Sequence, residues 1–186
     1  MIKIRDQTRD IRSIKQSLSS ETTTKLVHAF ISSRLDYCNG LLVGVAGQLL
    51  HRLQVIQNAA ARLVTGATRY EHMMPVLRSL HWLLVRHQIT FKIAVTVYKC
   101  LHGLAPPYLT EYCTSTSFDA GRRHLRSAYT RQLIIPRTRT SYGDRSFAVH
   151  GPVMWNSLCN TTCGSTDLSL ATFRNRLKTL LLDTDT

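Results

Sequence analysis

The stretch from 85 to 101 sets the tightest limit on the fold, because it is apolar on most sides. Gln88, Lys92, Thr96 and Lys99 recur at three- and four-residue steps and form its one regular polar stripe. Ile89, Phe91, Ile93, Val97, Tyr98 and Leu101 occupy the remaining directions. A helix with so little polar surface folds only inside a shell of neighbours. It is expected to be the central core helix, stopped by Gly103, Pro106 and Pro107.

The neighbours are also helical. Over 4–18, Ile4, Ile11, Ile14 and Leu18 fall at three-, four- and seven-residue steps, the spacing of one helical face. Arg5, Arg9 and Arg12 form the opposite stripe. Ser19 or Ser20 caps a second helix with Glu21 in its first turn, continued to about residue 42 by Leu26, Ala29, Phe30, Ser33 and Tyr37. Gly44 and Gly47 break it. A third helix over 48–64 places Leu49, Leu53, Ile56, Ala60 and Leu63 inward, leaves Arg52, Gln57 and Arg62 facing elsewhere, and ends at Gly66. A short helical turn is expected over 72–80 with Pro75 near its start, another helix over 147–158 around Trp155, and a last one over 168–182 with Leu170, Phe173, Leu177 and Leu180 inward.

Between 114 and 145 helical periodicity disappears and Ser, Thr, Gly and Arg dominate. Residues 132–136, Gln-Leu-Ile-Ile-Pro, are the best strand candidate, and 146–149 could pair with them or open the next helix. The expected fold is therefore mainly α: a helical bundle with a small β-hairpin near 130–150 and a C-terminal helix. Its regions are 1–66, 67–113, 114–145 and 146–182.

Lys and Arg number 24 against 11 Asp and Glu, a net charge of +13, while the hydrophobic fraction of 44% is that of a globular chain. Such a surplus attracts polyanions, nucleic acid foremost among them. No apolar run approaches the roughly 18 residues of a membrane span, and the start MIKIRDQTRD lacks a signal-peptide core. The expectation is a nuclear or cytoplasmic, non-secreted protein without a membrane partner. Five cysteines at irregular spacings fit reduced thiols better than a disulfide framework.

Two basic tracts are candidate nucleic-acid contacts. Arg5, Arg9 and Arg12 place guanidiniums along one helix edge, a pattern suited to successive phosphates of a duplex, although a solvated basic face reads the same way. Arg122, Arg123, Arg126, Arg131, Arg137 and Arg139, with Arg145, interleave with Tyr129 and Tyr142, combining charge for a backbone with rings for unpaired bases. A flexible soluble linker is the alternative. Arg34 to Asn39 gathers charged, aromatic and thiol groups but reads as the end of a helix. Cys159, Cys163, His150 and His124 lack the compact spacing of a zinc knuckle, and no nucleophile elbow or phosphate loop is present. No catalytic residue, metal ligand or cofactor site is assigned.

The phrases SSRLDYCNGLL from Ser32, HRLQVIQNAAARLVTG from His51 and PVLRSLHWL from Pro75 resemble the carboxy-terminal region of LINE-type, Jockey-like reverse transcriptases of non-LTR retrotransposons. LHGLAPPYL from Leu101, LIIPRTRTSYGDRSFAVHGPVMWNSL and LATFRNRLKTLLL continue the resemblance in the same order over nearly the whole chain. Leu84 and Cys159 stand where the family pattern shows proline. The resemblance implies a thumb and post-thumb region that packs against a template-primer duplex, with RNA, an RNA–DNA or DNA duplex, and the palm and fingers of a parent polyprotein as partners. It does not carry polymerase activity to this chain, because the paired aspartates of the family's palm have no counterpart: no two Asp residues are adjacent. On this reading Met1 follows the point where a palm would end, and the chain is a fragment inactive alone.

Two other readings compete. A remnant taken over as a stand-alone nucleic-acid- or protein-binding module would share these features. A small metal-dependent nuclease would need clustered carboxylates, whereas the acids here stand mostly singly, with Asp183 and Asp185 near the end.

Overall fold

Helical periodicity governs the computed structural model, which describes residues 2–116, 132–162 and 168–184. The protein is mainly helical, as expected, and divides into two compact units, Met1–Gln88 and Ile89–Thr186. The division falls inside α6 (Val85–Leu101), within the expected 67–113 region.

In the first unit, α1 (Ile2–Ile14) turns Ile4 and Ile11 inward. Thr8, and not Ile14, completes that row: Ile14 is about half-exposed, while the buried Thr8 hydroxyl donates to the Ile4 carbonyl at 2.8 Å. The hydroxyl is thereby satisfied within its own helix, so its burial carries no unpaired donor.

Ser19 caps α2 (Ser20–Val27), its hydroxyl accepting the Thr22 N–H at 3.2 Å. The helix then passes through a π turn (His28–Ser32) into α3 (Ser33–Asp36). Its inward face differs from the expected one. Thr23, Val27, Ile31 and Leu35 are buried, whereas Ala29, Phe30, Ser33 and Tyr37 are exposed. An α-helix turns about 100° per residue, so a strict four-residue row drifts about 40° per step. The wider π turn takes up that drift and keeps the branched row on one face. The helix also stops earlier than residue 42. Cys38, at φ 55°, adopts the left-handed conformation, and Asn39–Leu42 forms a separate 3-10 turn.

Helix α4 (Gly47–Thr65) ends at Gly66, whose φ of 77° is the left-handed cap expected of it. Ile56, Ala60 and Leu63 point inward as expected, while Leu49 is exposed. These three side chains pack with Ile11, Val27, Ile31 and Leu35 into one core, with Leu53 and Trp82 partly buried against it. Burying each large aliphatic side chain contributes about 1.5–3 kcal/mol. Gln57 departs from expectation, being buried. Its Nε2 donates to the Leu83 carbonyl at 2.8 Å, and the Val85 N–H donates to Gln54 Oε1 at 2.9 Å. Two amides of α4 thus fix the approach to α6 after α5 (Met73–Ser79).

In the second unit the rest of α6 buries Ile89, Ile93, Ala94, Val97 and Tyr98. Tyr98 stacks on Phe173 of α10 (Leu170–Asp183) at 4.4 Å between ring centres, and on His102 at 3.9 Å. Phe173, Leu177 and Leu181 form the inner row of α10; Leu180 is only half-buried. Short helices α7 (Pro107–Thr110) and α8 (Ser141–Asp144) lie between, and α9 (Phe147–Thr162) brings Trp155 into the core. Gly151 permits close packing in this unit: a β-carbon there would sit 3.3 Å from Val97 Cγ2 and 3.2 Å from Phe147 Cε2.

The expected hairpin does not form among the described residues. Leu133 makes a single antiparallel bridge with Ser115, through Thr116 N–H to the Gln132 carbonyl and Ile134 N–H to the Thr114 carbonyl, both 2.9 Å. Its other edge is taken by a side chain. Asn156 accepts the Leu133 N–H at 2.8 Å and donates to its carbonyl at 3.0 Å. The amide satisfies both backbone groups, and 147–149 open α9, the other course expected of them.

Candidate nucleic-acid interface

Arg5, Arg9 and Arg12 share one exposed edge of α1 because residues four and three apart stand one above another on a helix. This edge forms one wall of a cleft of about 630 Å³ in the first unit. The second wall is α4. Arg5, Thr8, Arg9 and Arg12 face Arg52, Val55, Ile56 and Ala59, so both helices contribute residues at the same three-, four- and seven-residue offsets. Matching rows of this kind arise where two helices pack side by side and leave a trough above the line of contact. The buried Thr8 and Ile56, with Ala59 and the half-exposed Val55, line its base.

The cleft continues past Arg12 and Ala59 into a second one of about 530 Å³, lined also by Lys15, Arg62, Gly66, Ala67 and Arg69. Arg62 is partly committed there: its Nε donates to the Thr68 carbonyl at 3.1 Å and Nη2 to the Arg69 carbonyl at 3.4 Å. Glu71 accepts the Thr68 N–H at 2.7 Å. That bond holds its carboxyl below the ordinary value, with help from Arg62. Arg5, Arg9, Arg12 and Arg52 are exposed, and no carboxylate lines either cleft among the described residues.

The α1 stripe is thus gathered into a groove, and Arg52 joins it from α4. Only the turn of α4 relative to α1 reveals this. In the sequence, Arg52 is one polar residue among several on an amphipathic helix, 40 positions beyond Arg12.

The second tract has a different setting. Arg122, Arg123, Arg126 and Arg131, with Tyr129, lie outside the described residues. Arg137 and Arg139 are exposed on irregular backbone before α8. The Arg145 guanidinium lies 5.8 Å from the centre of the exposed Tyr142 ring, so this pair is already engaged with itself.

Arg34, Asp36, Tyr37 and Cys38 are exposed at the end of α3, where Asn39 Nδ2 donates to Asp36 Oδ1 at 3.0 Å. Among the described residues no three His, Cys, Asp or Glu side chains come together. Cys163, His124 and the Cys159 side chain lie outside them. Burial lowers the His150 pKa from its ordinary value. Cys100 and Cys113 are buried thiols within hydrogen-bonding reach of one another, and burial pushes Cys113 up to about 12. A thiol held protonated is a poor nucleophile, so this pair reads as packing. No described helix is long and apolar enough to cross a membrane.

No protein-family model, curated protein or solved structure matches the chain.

Proposed function

We propose that this protein binds nucleic acid through its phosphate backbone, as the non-catalytic thumb and post-thumb region of a LINE-type reverse transcriptase. The observation that carries the reading is the α1–α4 groove, where Arg5, Arg9, Arg12 and Arg52 converge with no carboxylate among the described lining residues. Guanidiniums spaced along a trough fit successive phosphates, which fix register without reading base sequence. The net charge of +13 supplies long-range attraction of the same sign.

The resemblance supports the same reading. HRLQVIQNAAARLVTG, one of its phrases, spans most of α4 and supplies the wall carrying Arg52, Val55, Ile56 and Ala59. The role is binding, and any polymerase chemistry belongs to a palm with paired aspartates. Arg137 and Arg139 are auxiliary phosphate contacts on this reading, weaker because irregular backbone holds them.

Fluorescence anisotropy of labelled RNA and DNA against salt tests the proposal. Four phosphate contacts predict that log affinity falls with log salt at a slope of roughly −3 to −4. An affinity indifferent to salt, or unchanged when Arg5, Arg9 and Arg12 become Ala, defeats it.

A further inference from the structure

The groove also bears on which form of nucleic acid it takes, and this inference rests on the phosphate-binding reading above. Its two walls are adjacent packed helices, whose axes stand about 8–10 Å apart. The major groove of a duplex alone is about 12 Å wide, so a whole duplex is broader than the trough. A duplex rests across the rims and leaves the apolar base uncovered. A single strand can descend between the walls. Its phosphates then meet Arg5, Arg9 and Arg12 on one side and Arg52 on the other.

The base of the trough favours the same occupant. Val55, Ile56 and Ala59 offer an apolar surface between the guanidiniums, and Val55 is 52% exposed. Phosphates gain nothing from that surface. A ribose or base edge does, because apolar area leaves water on contact. No aromatic side chain is among the described lining residues, so base stacking on protein rings, the usual source of composition preference in single-strand grooves, is missing here. The continuation past Ala59 to Lys15 and Arg69, just beyond the ends of the two helices, extends the cationic path.

We infer that the α1–α4 groove is a single-strand site: it seats one RNA or DNA strand, irrespective of sequence, with phosphates on the two arginine walls and sugars or base edges against Val55 and Ala59.

The test titrates the full-length, methyl-labelled chain with a strand of about 12 nucleotides, within the roughly 4–16 of known single-strand sites, and with the matching duplex. RNA and DNA versions are both run. The single strand is expected to bind about tenfold tighter than the duplex at equal salt, with a salt slope near −3. The methyl signals of Val55 and Ala59 should shift with the strand and not with the duplex, while that of the fully buried Ile31 stays in place. Arg52→Ala, at an exposed position, should lower single-strand affinity severalfold and reduce the slope by about 0.7.

Duplex binding as tight as single-strand binding overturns the inference and leaves the phosphate-binding reading intact. Tighter single-strand binding that leaves Val55 and Ala59 unmoved also overturns it, because the strand would then lie elsewhere. Salt-dependent binding to neither form overturns both.

Discussion

The two units carry their arginines in contrasting ways. In Met1–Gln88 the charges sit on helices whose other faces are locked in a core, so Arg5, Arg9, Arg12 and Arg52 are held along a groove. In Ile89–Thr186 the described members of the second tract, Arg137 and Arg139, stand on exposed irregular backbone, and Arg145 is paired with Tyr142. Equal charge therefore does not mean an equally ordered array of cations. A side chain whose backbone is already ordered loses less freedom on engaging a phosphate, and neighbouring cations at helical spacing reinforce one another. The second unit spends its polar groups on packing: Asn156 on the Leu133 backbone, Tyr98 in an aromatic stack.

The contrast can be broken most forcefully at the cores. Ile31→Ala in the first unit and Leu177→Ala in the second, both fully buried, should each cost about 2–5 kcal/mol in urea unfolding. Hydrogen exchange should locate each loss in the unit that carries the change. A Leu177→Ala variant that exposes the amides of α4 as readily as those of α10 would show the two units to be one cooperative body.

Next in size is the groove. Changing Arg5, Arg9 and Arg12 together to Ala should weaken nucleic-acid binding roughly 10–100-fold and flatten the salt slope by about 2–3. Thermal unfolding should be nearly unchanged, since all three are exposed.

Two side-chain amides sharpen the comparison at a smaller scale. Asn156→Ala leaves the Leu133 N–H and carbonyl without their partner, whereas Gln57→Ala removes one of two donors to the Leu83 carbonyl, which keeps Gln88 Nε2 at 2.9 Å. Asn156→Ala should cost about 1–3 kcal/mol by chemical denaturation and Gln57→Ala less, because only the first strands two backbone groups.

A pH series separates the units more gently. Burial lowers the His150 pKa, so the stability its neutral ring contributes is present above the ordinary 6.5 and is lost as pH falls below it. Cys113, pushed up to about 12 by burial, acts at the other end: its contribution is whole below the ordinary 9.0 and is lost as pH rises towards 12. Urea midpoints should therefore fall on both sides of neutral pH, with hydrogen exchange assigning both losses to the second unit. His150→Phe should blunt the acid side; an unaltered acid limb in that variant would remove His150 as its cause.

The smallest effect is expected from Arg137→Ala with Arg139→Ala, less than about threefold in affinity, because exposed charges on irregular backbone are heavily screened. A loss matching that of the α1 triple variant would reverse the ranking of the two tracts.

Legibility followed regularity. The bounds of α6, a cap at Ser19 or Ser20, the Gly66 stop and the Arg5, Arg9 and Arg12 stripe were all readable, because each depends on residues within a turn or two of one another. The buried face of α2 and α3 was not. Phe30 and Tyr37 fit an ideal helical row better than Thr23, Val27, Ile31 and Leu35 do, and the π turn that reverses the choice has no local signature in His28–Ser32. The hairpin expectation failed for a related reason. Leu133 found its partners at Ser115 and Asn156, both distant in sequence, and an asparagine side chain in the role of a neighbouring strand leaves no alternation to detect.

What the sequence determined by itself was the mainly helical fold, the surplus of positive charge and one straight row of arginines, because propensity, net charge and helical spacing are local or additive quantities. The tertiary structure alone decided that this row faces a second helix. Arg52 and the apolar base of Val55, Ile56 and Ala59 join Arg5, Arg9 and Arg12 only once Ile11, Ile31, Ile56 and Leu63 have packed together and fixed how α4 is rotated against α1. That rotation minimises the exposed area of residues far apart in the chain, and no stretch of the sequence holds it alone.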